Sequence, residues 1–335
     1  MKIRHFLLSP RGRLTALFAL ALLLILTGLT GLRFGTLELS FAEIFRTLCC
    51  KREGIPYQIL WNIRFPRILL GMAVGGALAV SGTILQGVMR NPLAGPGIIG
   101  ISSGGGLAAV LLLLAVPRFS PYLVPGAFLG ALGTALLVYL LAWKRGVSPV
   151  RLILAGVAVS GMLGALSSTI LILNAEKAGG ILDFAAGTLS SRGWGQLKLV
   201  AFYIPAGLTL AFLHGQKLNI LALGDEVAAS LGLKVEQTRF ALLAIAALLA
   251  ASAVCVAGLL GFVGLIAPHM VRLAIGSDNR CLLPGAALFG AVLVTACDTA
   301  GRLVMAPSEL PVGVIMALLG PPFFLYLLRR HGYEA

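Results

Sequence analysis

The sequence predicts an all-α, polytopic membrane protein, with about ten spanning helices forming one permease-sized domain over residues 1–335. Three observations predict it. Of the 335 residues, 59% are hydrophobic and only 11% are charged, whereas soluble domains run at roughly a quarter charged. The mean hydropathy is +0.98. The apolar residues fall in runs close to the roughly 20 residues that a helix needs to cross a bilayer core of about 30 Å, and the joints between the runs are short and rich in charge, Pro or Gly. A water-soluble fold is excluded on these grounds.

Taken in order, the first run, 14–33, follows a basic leader (Lys2, Arg4, Arg11, Arg13). It is longer than a signal-peptide core and has no small-x-small cleavage site, so it reads as a retained first helix. The remaining spans are expected near 65–87, 97–116, 122–143, 151–173, 196–214, 240–258, 261–275, 282–301 and 311–328. Between the first two, the segment 34–63 mixes polar residues with Phe41, Ile44 and Phe45 and fits a short helix lying on the surface. The stretch MRNPLAGPGIIGISSGGG, before the third span, is too rich in Gly and Pro for an ordinary helix. It fits a re-entrant turn feeding one, a backbone tolerated at membrane depth where protein or a water-filled cavity surrounds it. Glycine is abundant, and small residues recur four apart, as in Gly71 and Gly75, Gly156 and Ser160, and Gly161 and Ala165. That spacing lets helices approach closely where lipid supplies no hydrophobic drive.

The net charge of +14 raises nucleic acid as a partner, but the 26 Lys and Arg are scattered between apolar runs rather than gathered on one soluble face, which argues against it. Distributed over a ten-span model, more of them fall on the face that holds both termini. The basic leader and the pair Arg329 and Arg330 agree with a cytoplasmic location for both termini. The cysteines, Cys49, Cys50, Cys255, Cys281 and Cys297, form no C-x-x-C pair and read as small hydrophobes; no metal site is expected.

The joint at 215–239 is the most informative. It sits in HGQKLNILALGDEVAASLGLKVEQTR, where Asp225 and Glu226 follow Gly224 as a helix start should, since carboxylates favour the positive end of the helix dipole. Val227, Ala228, Ala229 and Leu231 continue a short helix that stops at Gly232, a common C-terminal residue. Amphipathic helices that lie on a membrane are usually rich in Lys and Arg. An acidic start points instead to a plug for a groove on a partner protein. This stretch resembles the cytoplasmic coupling loop of the FecCD-type permeases, the membrane subunits of importers for iron siderophores, haem and cobalamin. The resemblance extends to NIRFPRILLGMAVGGALAVSG at 62–82, NPLAGPGIIGISSGGG at 91–106, GFVGLIAPHMVR at 261–272 and ELPVGVIMALLGPPFF at 309–324.

The resemblance implies the type II importer permease fold of the ATP-binding-cassette (ABC) class, in a bacterial cytoplasmic membrane. It also implies a second permease copy, two ATPase subunits that use ATP and Mg, and an extracytoplasmic binding protein that delivers the substrate. The coupling contacts it implies are Gly224, Asp225, Glu226, Ala229, Leu231 and Gly232. The chain has no G-x-x-x-x-G-K-[ST] loop, so a phosphate cradle for ATP must come from elsewhere, and no cofactor is expected on this chain.

Arg64 and Arg67 in IRFPR and Arg302 in DTAGRL fall at outer span ends. They admit two readings: arginines that snorkel at the interface, or planar guanidiniums that pair with carboxylates of a docking protein. The resemblance favours docking. Asn91 and Leu93 in NPLAGPG read either as a helix-ending turn or, as the resemblance implies, as a constriction of the pathway in which a polar cap and an apolar side chain close a pore. Span five offers Ser160, Met162, Ser167, Ser168 and Asn174 as a weakly polar pathway wall, although hydroxyls also bond their own helix. Asp298 is placed to pair with Arg302 four residues on, and His269 reads as a structural hydrogen-bonding residue. Two other classes remain on the table: an intramembrane enzyme, which needs clustered titratable groups in the bundle, and an ion-driven secondary transporter, which needs mid-span carboxylates. The acids here fall in loops or near span ends.

Overall fold

A computed structural model describes residues 9–330, apart from 36, 38, 51–53, 98–99, 144–148, 175–178 and 307. The expectations for Lys2 and Arg4 lie outside the described residues. Every regular element among the described residues is helical. Among the described residues seven helices are long and apolar enough to cross a membrane, and three shorter apolar helices, Ile101–Leu114, Val263–Ile275 and Val312–Phe323, fall where three more of the roughly ten spans are expected.

Helix α1 (Pro10–Arg33) begins where Ser9 accepts the amide of Gly12 at 3.1 Å and Pro10 supplies a preset φ at the first helical position. Phe18 and its neighbours are exposed along its length, so this helix lies at the periphery. The surface helix expected within 34–63 is α2 (Phe41–Cys50). Ser40 and Glu43 cap it reciprocally: the Ser40 amide donates to the Glu43 carboxylate at 2.7 Å, and the Glu43 amide donates to the Ser40 hydroxyl at 3.2 Å. Ile44 is turned inward while Phe41 and Phe45 are exposed.

Helix α3 (Ile55–Val88) is the central element, with most of its residues from Pro66 onward buried. Pro66 has no amide proton and would clash with the carbonyl four residues back in a regular helix. The turn before it, Ile59–Arg64, is widened to π geometry, with the Phe65 amide reaching the Leu60 carbonyl, the usual way a helix absorbs such a defect. At its far end the Asn91 amide reaches the Gln86 carbonyl and the Arg90 amide reaches Gly87. This Schellman closure explains the positive φ of 48° at Arg90.

The expected re-entrant turn follows. The Asn91 side-chain oxygen accepts the Leu93 amide at 2.8 Å, and the chain enters α4 (Ile101–Val110, continuing as a π turn over Leu111–Ala115) through Gly100 at φ 83°. Helix α5 (Leu123–Ala142) packs on α4, and α6 (Pro149–Leu173) packs on both. After the short α7 (Gly179–Ala186), the span expected at 196–214 is broken into α8 (Trp194–Val200) and α9 (Tyr203–Leu213). The break has a local cause: Pro205 cannot donate to the Ala201 carbonyl, and the ladder restarts with the Ala206 amide on Phe202. Then come α10 (Gly215–Ala222), α11 (Asp225–Ser230), α12 (Val235–Ala257), α13 (Val263–Ile275), α14 (Asn279–Val304) and α15 (Val312–Arg330).

Small residues set the core spacing. A Cβ at Gly75 would run into the Gly290 carbonyl of α14, and one at Gly82 into the Gly264 carbonyl of α13. The helices meet backbone to backbone, as dispersion-driven packing in lipid requires. The pair Gly161 and Ala165 differs from expectation: both are exposed, and a Cβ at Gly161 would meet nothing within 4 Å. With Ala158, Ser168 and Ile172 they form a stripe of α6 that no described part of this chain covers.

Candidate functional site: two charged ends and an uncovered helix

The first end gathers Arg64, Arg67 and Arg302, which are 4%, 5% and 5% exposed. Arg64 donates to the carbonyls of Leu32 at 2.6 Å and Arg33 at 3.1 Å, and to that of Leu37, so it caps the C-terminal carbonyls of α1 where a cation is favoured. Arg302 reaches the Gly31 carbonyl at 3.2 Å and the Thr299 hydroxyl at 3.1 Å. Arg67 grips Asp298 with two nitrogens at 2.9 Å each and reaches Glu309 at 2.8 Å. The sequence pictured guanidiniums held out at a span mouth, either for snorkelling or for docking. The structure corrects that placement. All three point inward, because the orphan carbonyls of α1 and the Asp298 carboxylate need donors in a region that excludes water.

Asp298 does lie near Arg302, at 3.5 Å, as its spacing predicts. Its principal partner, however, is Arg67, which the sequence separates from it by 231 residues. Glu309, outside the spans, has a carboxyl that burial would push up. The hydrogen bond and charge of Arg67 outweigh this and hold it below the usual carboxylate range. An aromatic group of Trp61, Phe65 and Trp194 packs beside this end, with the Trp194 indole donating to the Trp61 carbonyl at 2.8 Å.

The opposite end carries α11. Its limits are set by Gly224 at φ 111° and Gly232 at φ 80°. A second Schellman closure, Leu233 amide to Ala228 and Gly232 amide to Ala229, ends it as Gly232 predicts. Only Ala228 of this helix is buried. Glu226, Ala229, Leu231 and Gly232 are exposed. Leu223, Val227 and Leu231, at four-residue spacing, present an apolar stripe on this knob at 61%, 47% and 60% exposure. That stripe is legible in the sequence as a spacing and adds Leu223 and Val227 to the expected contacts. Asp225, the first residue of the helix, makes an ion pair with Arg239 of α12 at 2.7 Å.

Near α11, Asp278 caps α14 and gathers three elements, accepting from Asn219 of α10 at 2.8 Å and pairing with Arg13 of α1 at 3.3 Å. Burial works against its ionisation, but the Asn219 and Arg280 hydrogen bonds prevail and lower its pKa.

Asn91 lines a cavity of about 210 Å³ with Arg90, Arg272 and Asn279 at the α11 end. Arg90 rests against Gly224, so the Asn91–Leu93 turn and the base of α11 are neighbours. Ser160 joins them, its hydroxyl near the Gly97 carbonyl at 3.4 Å. Met162, 68% exposed, and Ser168 stand on the uncovered side of α6. Ser167 instead bonds its own helix at Leu163, at 2.9 Å. The structure thus puts Asn91 and Leu93 at the α11 end, ties Ser160 to the segment that follows them, and leaves Met162 and Ser168 on an open face. His269 packs edge-on against Phe323 of α15.

A family model for the FecCD transport family matches residues 22–330. The chain belongs to that family. Among curated FecCD relatives, the hemin transport system permease protein HmuU of Yersinia pestis is 40% identical over 93% of this chain and 94% of its own length. The Fe(3+)-citrate import system permease protein YfmE of Bacillus subtilis is 37% identical over 94% and 95%. The cobalamin import system permease protein BtuC of Halobacterium salinarum is 42% identical over 84% and 77%. A solved metal-chelate type ABC transporter in an inward-facing conformation superposes with a TM-score of 0.82 at 32% identity, covering 94% of this chain and 98% of that one. PsaBC of Streptococcus pneumoniae, at 15% identity and a TM-score of 0.59, shares the fold. The architecture is therefore the all-α, multi-pass fold of ABC importer permeases.

Proposed function

We propose that this FecCD chain is the membrane permease of an ABC importer that moves an iron(III)-siderophore or a related metal chelate across the bacterial cytoplasmic membrane by alternating access. The observation that carries the reading is α11, a short knob with an acidic start and an apolar stripe, Leu223, Val227 and Leu231, that is left exposed among the described residues. Its partner is a groove on a separate ATPase, two copies of which bind ATP and Mg while this chain binds neither. Orientation follows: the α11 end and both termini are cytoplasmic, in keeping with the basic leader, and the Arg67 end is extracytoplasmic.

A second copy of the permease covers the small-residue stripe of α6. Ala158, Gly161, Ala165 and Ser168 permit close helix approach there, and Ser160, Met162, Ser167 and Ser168 line or flank the pathway between the copies. Asn91 and Leu93 close that pathway at the cytoplasmic end. A binding protein docks on the outer rim through its carboxylates. Because Arg64, Arg67 and Arg302 are buried, an incoming carboxylate competes with Glu309, whose side chain is 31% exposed, for Arg67. Haem and cobalamin, the cargoes named for two of the relatives, share the architecture and are the alternative substrates.

The test is purification with the cognate ATPase, followed by ATP hydrolysis with and without the loaded binding protein. Wild type should give a complex whose hydrolysis the binding protein stimulates. Deleting 225–230, or substituting Leu223 and Val227 with Asp, should abolish co-purification. A lone chain that drives proton-coupled uptake overturns the reading.

A further inference from the structure

The covalent routes from α11 to the bundle run through Gly224 to α10 and through the exposed turn around Gly232 to α12. A third route is made by side chains. Arg239, in the second turn of α12, is 6% exposed. It donates to Asp225 at 2.7 Å and to Glu236 at 2.6 Å, and its guanidinium lies 3.4 Å from the Tyr139 hydroxyl. Tyr139 stands near the end of α5, and its hydroxyl also donates to Glu236. One buried cation therefore holds the first residue of α11, the base of α12 and the end of α5.

These two helices pack directly on each other and both touch α4; beyond that, α12 packs on the central α3 and α5 packs on α6. A crevice beside the hub is lined by Met89, Arg90, Tyr139, Leu152 and Arg239, which puts the hub next to the turn that carries Asn91 and Leu93. On the other side, a cavity of about 210 Å³ lies between α5 and α12, lined by Leu132, Leu136, Tyr139, Glu236, Arg239 and Phe240. Packing between the two helices is incomplete at this end, which leaves the Tyr139 end of α5 space to shift there.

We infer that Arg239 is the positioning residue that carries displacement of α11 to α5 and to the Asn91–Leu93 turn, with Tyr139 as its contact on α5. A guanidinium suits the task because its planar fork donates in several fixed directions at once, which a lysine ammonium cannot reproduce. The inference rests on the importer reading, since it requires a motor that moves α11.

The experiment uses the full complex of permease, ATPase and binding protein in proteoliposomes, with ATP hydrolysis measured with and without binding protein, and uptake of a ferric siderophore, haem and cobalamin measured in parallel. Arg239→Met is expected to assemble, to keep unstimulated hydrolysis within about twofold, and to lose stimulated uptake by about tenfold or more, the scale of a coupling free energy of 1–3 kcal/mol. Adding Asp225→Asn to it should cost nothing further, because both act through one bond. Tyr139→Phe removes one hydroxyl and should lower uptake per ATP several-fold with an unchanged thermal midpoint. A purely structural ion pair would move the midpoint and leave uptake per ATP alone.

Wild-type uptake per ATP in both Arg239→Met and Tyr139→Phe overturns the inference. If Arg239→Met does not fold, Tyr139→Phe alone decides, and its wild-type ratio overturns it equally. Absence of stimulated hydrolysis in the wild-type complex refutes instead the importer reading beneath it.

Discussion

Asp298→Ala is the most informative single change to the outer cluster. Asp298 and Arg67 are each 5% exposed at the side chain, and Arg67 holds the carboxylate through two nitrogens at 2.9 Å. Removing one partner of a buried pair costs about 3–5 kcal/mol, because the other charge is left without compensation. Arg67 keeps Glu309 at 2.8 Å, and Arg302 keeps the Gly31 carbonyl at 3.2 Å. The lower end, about 3 kcal/mol, is therefore expected, a change of roughly a hundredfold in the folded-to-unfolded ratio. For a chain of 335 residues that corresponds to a fall of about 4 °C in thermal midpoint. The assay is thermal aggregation of the detergent-solubilised protein followed by size-exclusion chromatography. Arg67→Met with Asp298→Leu removes both charges and should recover at least half the loss, since well-packed apolar pairs replace buried ion pairs at little cost. Arg280→Ala, whose side chain is 63% exposed, serves as a surface control and should stay within about 1 kcal/mol. A midpoint for Asp298→Ala indistinguishable from the Arg280 control, or a double variant no better than the single, would refute the reasoning.

Three further outcomes follow from the same geometry. Gly82→Ala drives a methyl into the Gly264 backbone and should destabilise by about 1–3 kcal/mol as overpacking does; Gly133→Ala on α5, with open space around it, should be neutral or stabilising by about 0.5–1 kcal/mol, and equal midpoints for the two would count against the packing described. Glu309 is held below its usual value of 4.5 in the folded chain, so its contribution is complete above that value and disappears as pH falls through the lowered one. The midpoint gap between wild type and Glu309→Gln should accordingly be open at neutral pH and close in acid; a gap that persists in strong acid contradicts the Arg67 contact. Asp278→Ala removes the cap of α14 together with the partner of Arg13 and Asn219, and should lower the midpoint more than Ser9→Ala, which removes the α1 cap.

The spans were legible because hydropathy and length fix them almost without reference to tertiary structure. The acidic start and glycine stop of α11 were legible for the same local reason, each answering to a helix end. What the sequence did not disclose depends on distance. Arg67 finds Asp298 and Glu309 across 231 and 242 residues, and with those partners hidden, an arginine at a span end reads as exposed. Arg239 passes for an ordinary basic residue at the end of the 215–239 joint until Asp225 and Tyr139 are brought to it. The break between α8 and α9 was carried by Pro205 and was readable in principle, but the unbroken apolar run across it dominated. The spacing of Gly161 and Ala165 was legible as a close-packing face of α6, and only the fold shows that nothing described in the chain covers it.

The most direct measurement of the central claim is chelate uptake into proteoliposomes holding this permease with its ATPase, supplied with the loaded binding protein and comparing a ferric siderophore, haem and cobalamin side by side. Uptake of one of them that requires internal ATP and Mg, ignores an imposed proton gradient, and is lost on deleting 225–230 is the predicted result. Uptake by the permease alone, driven by an ion gradient without ATP, would contradict it.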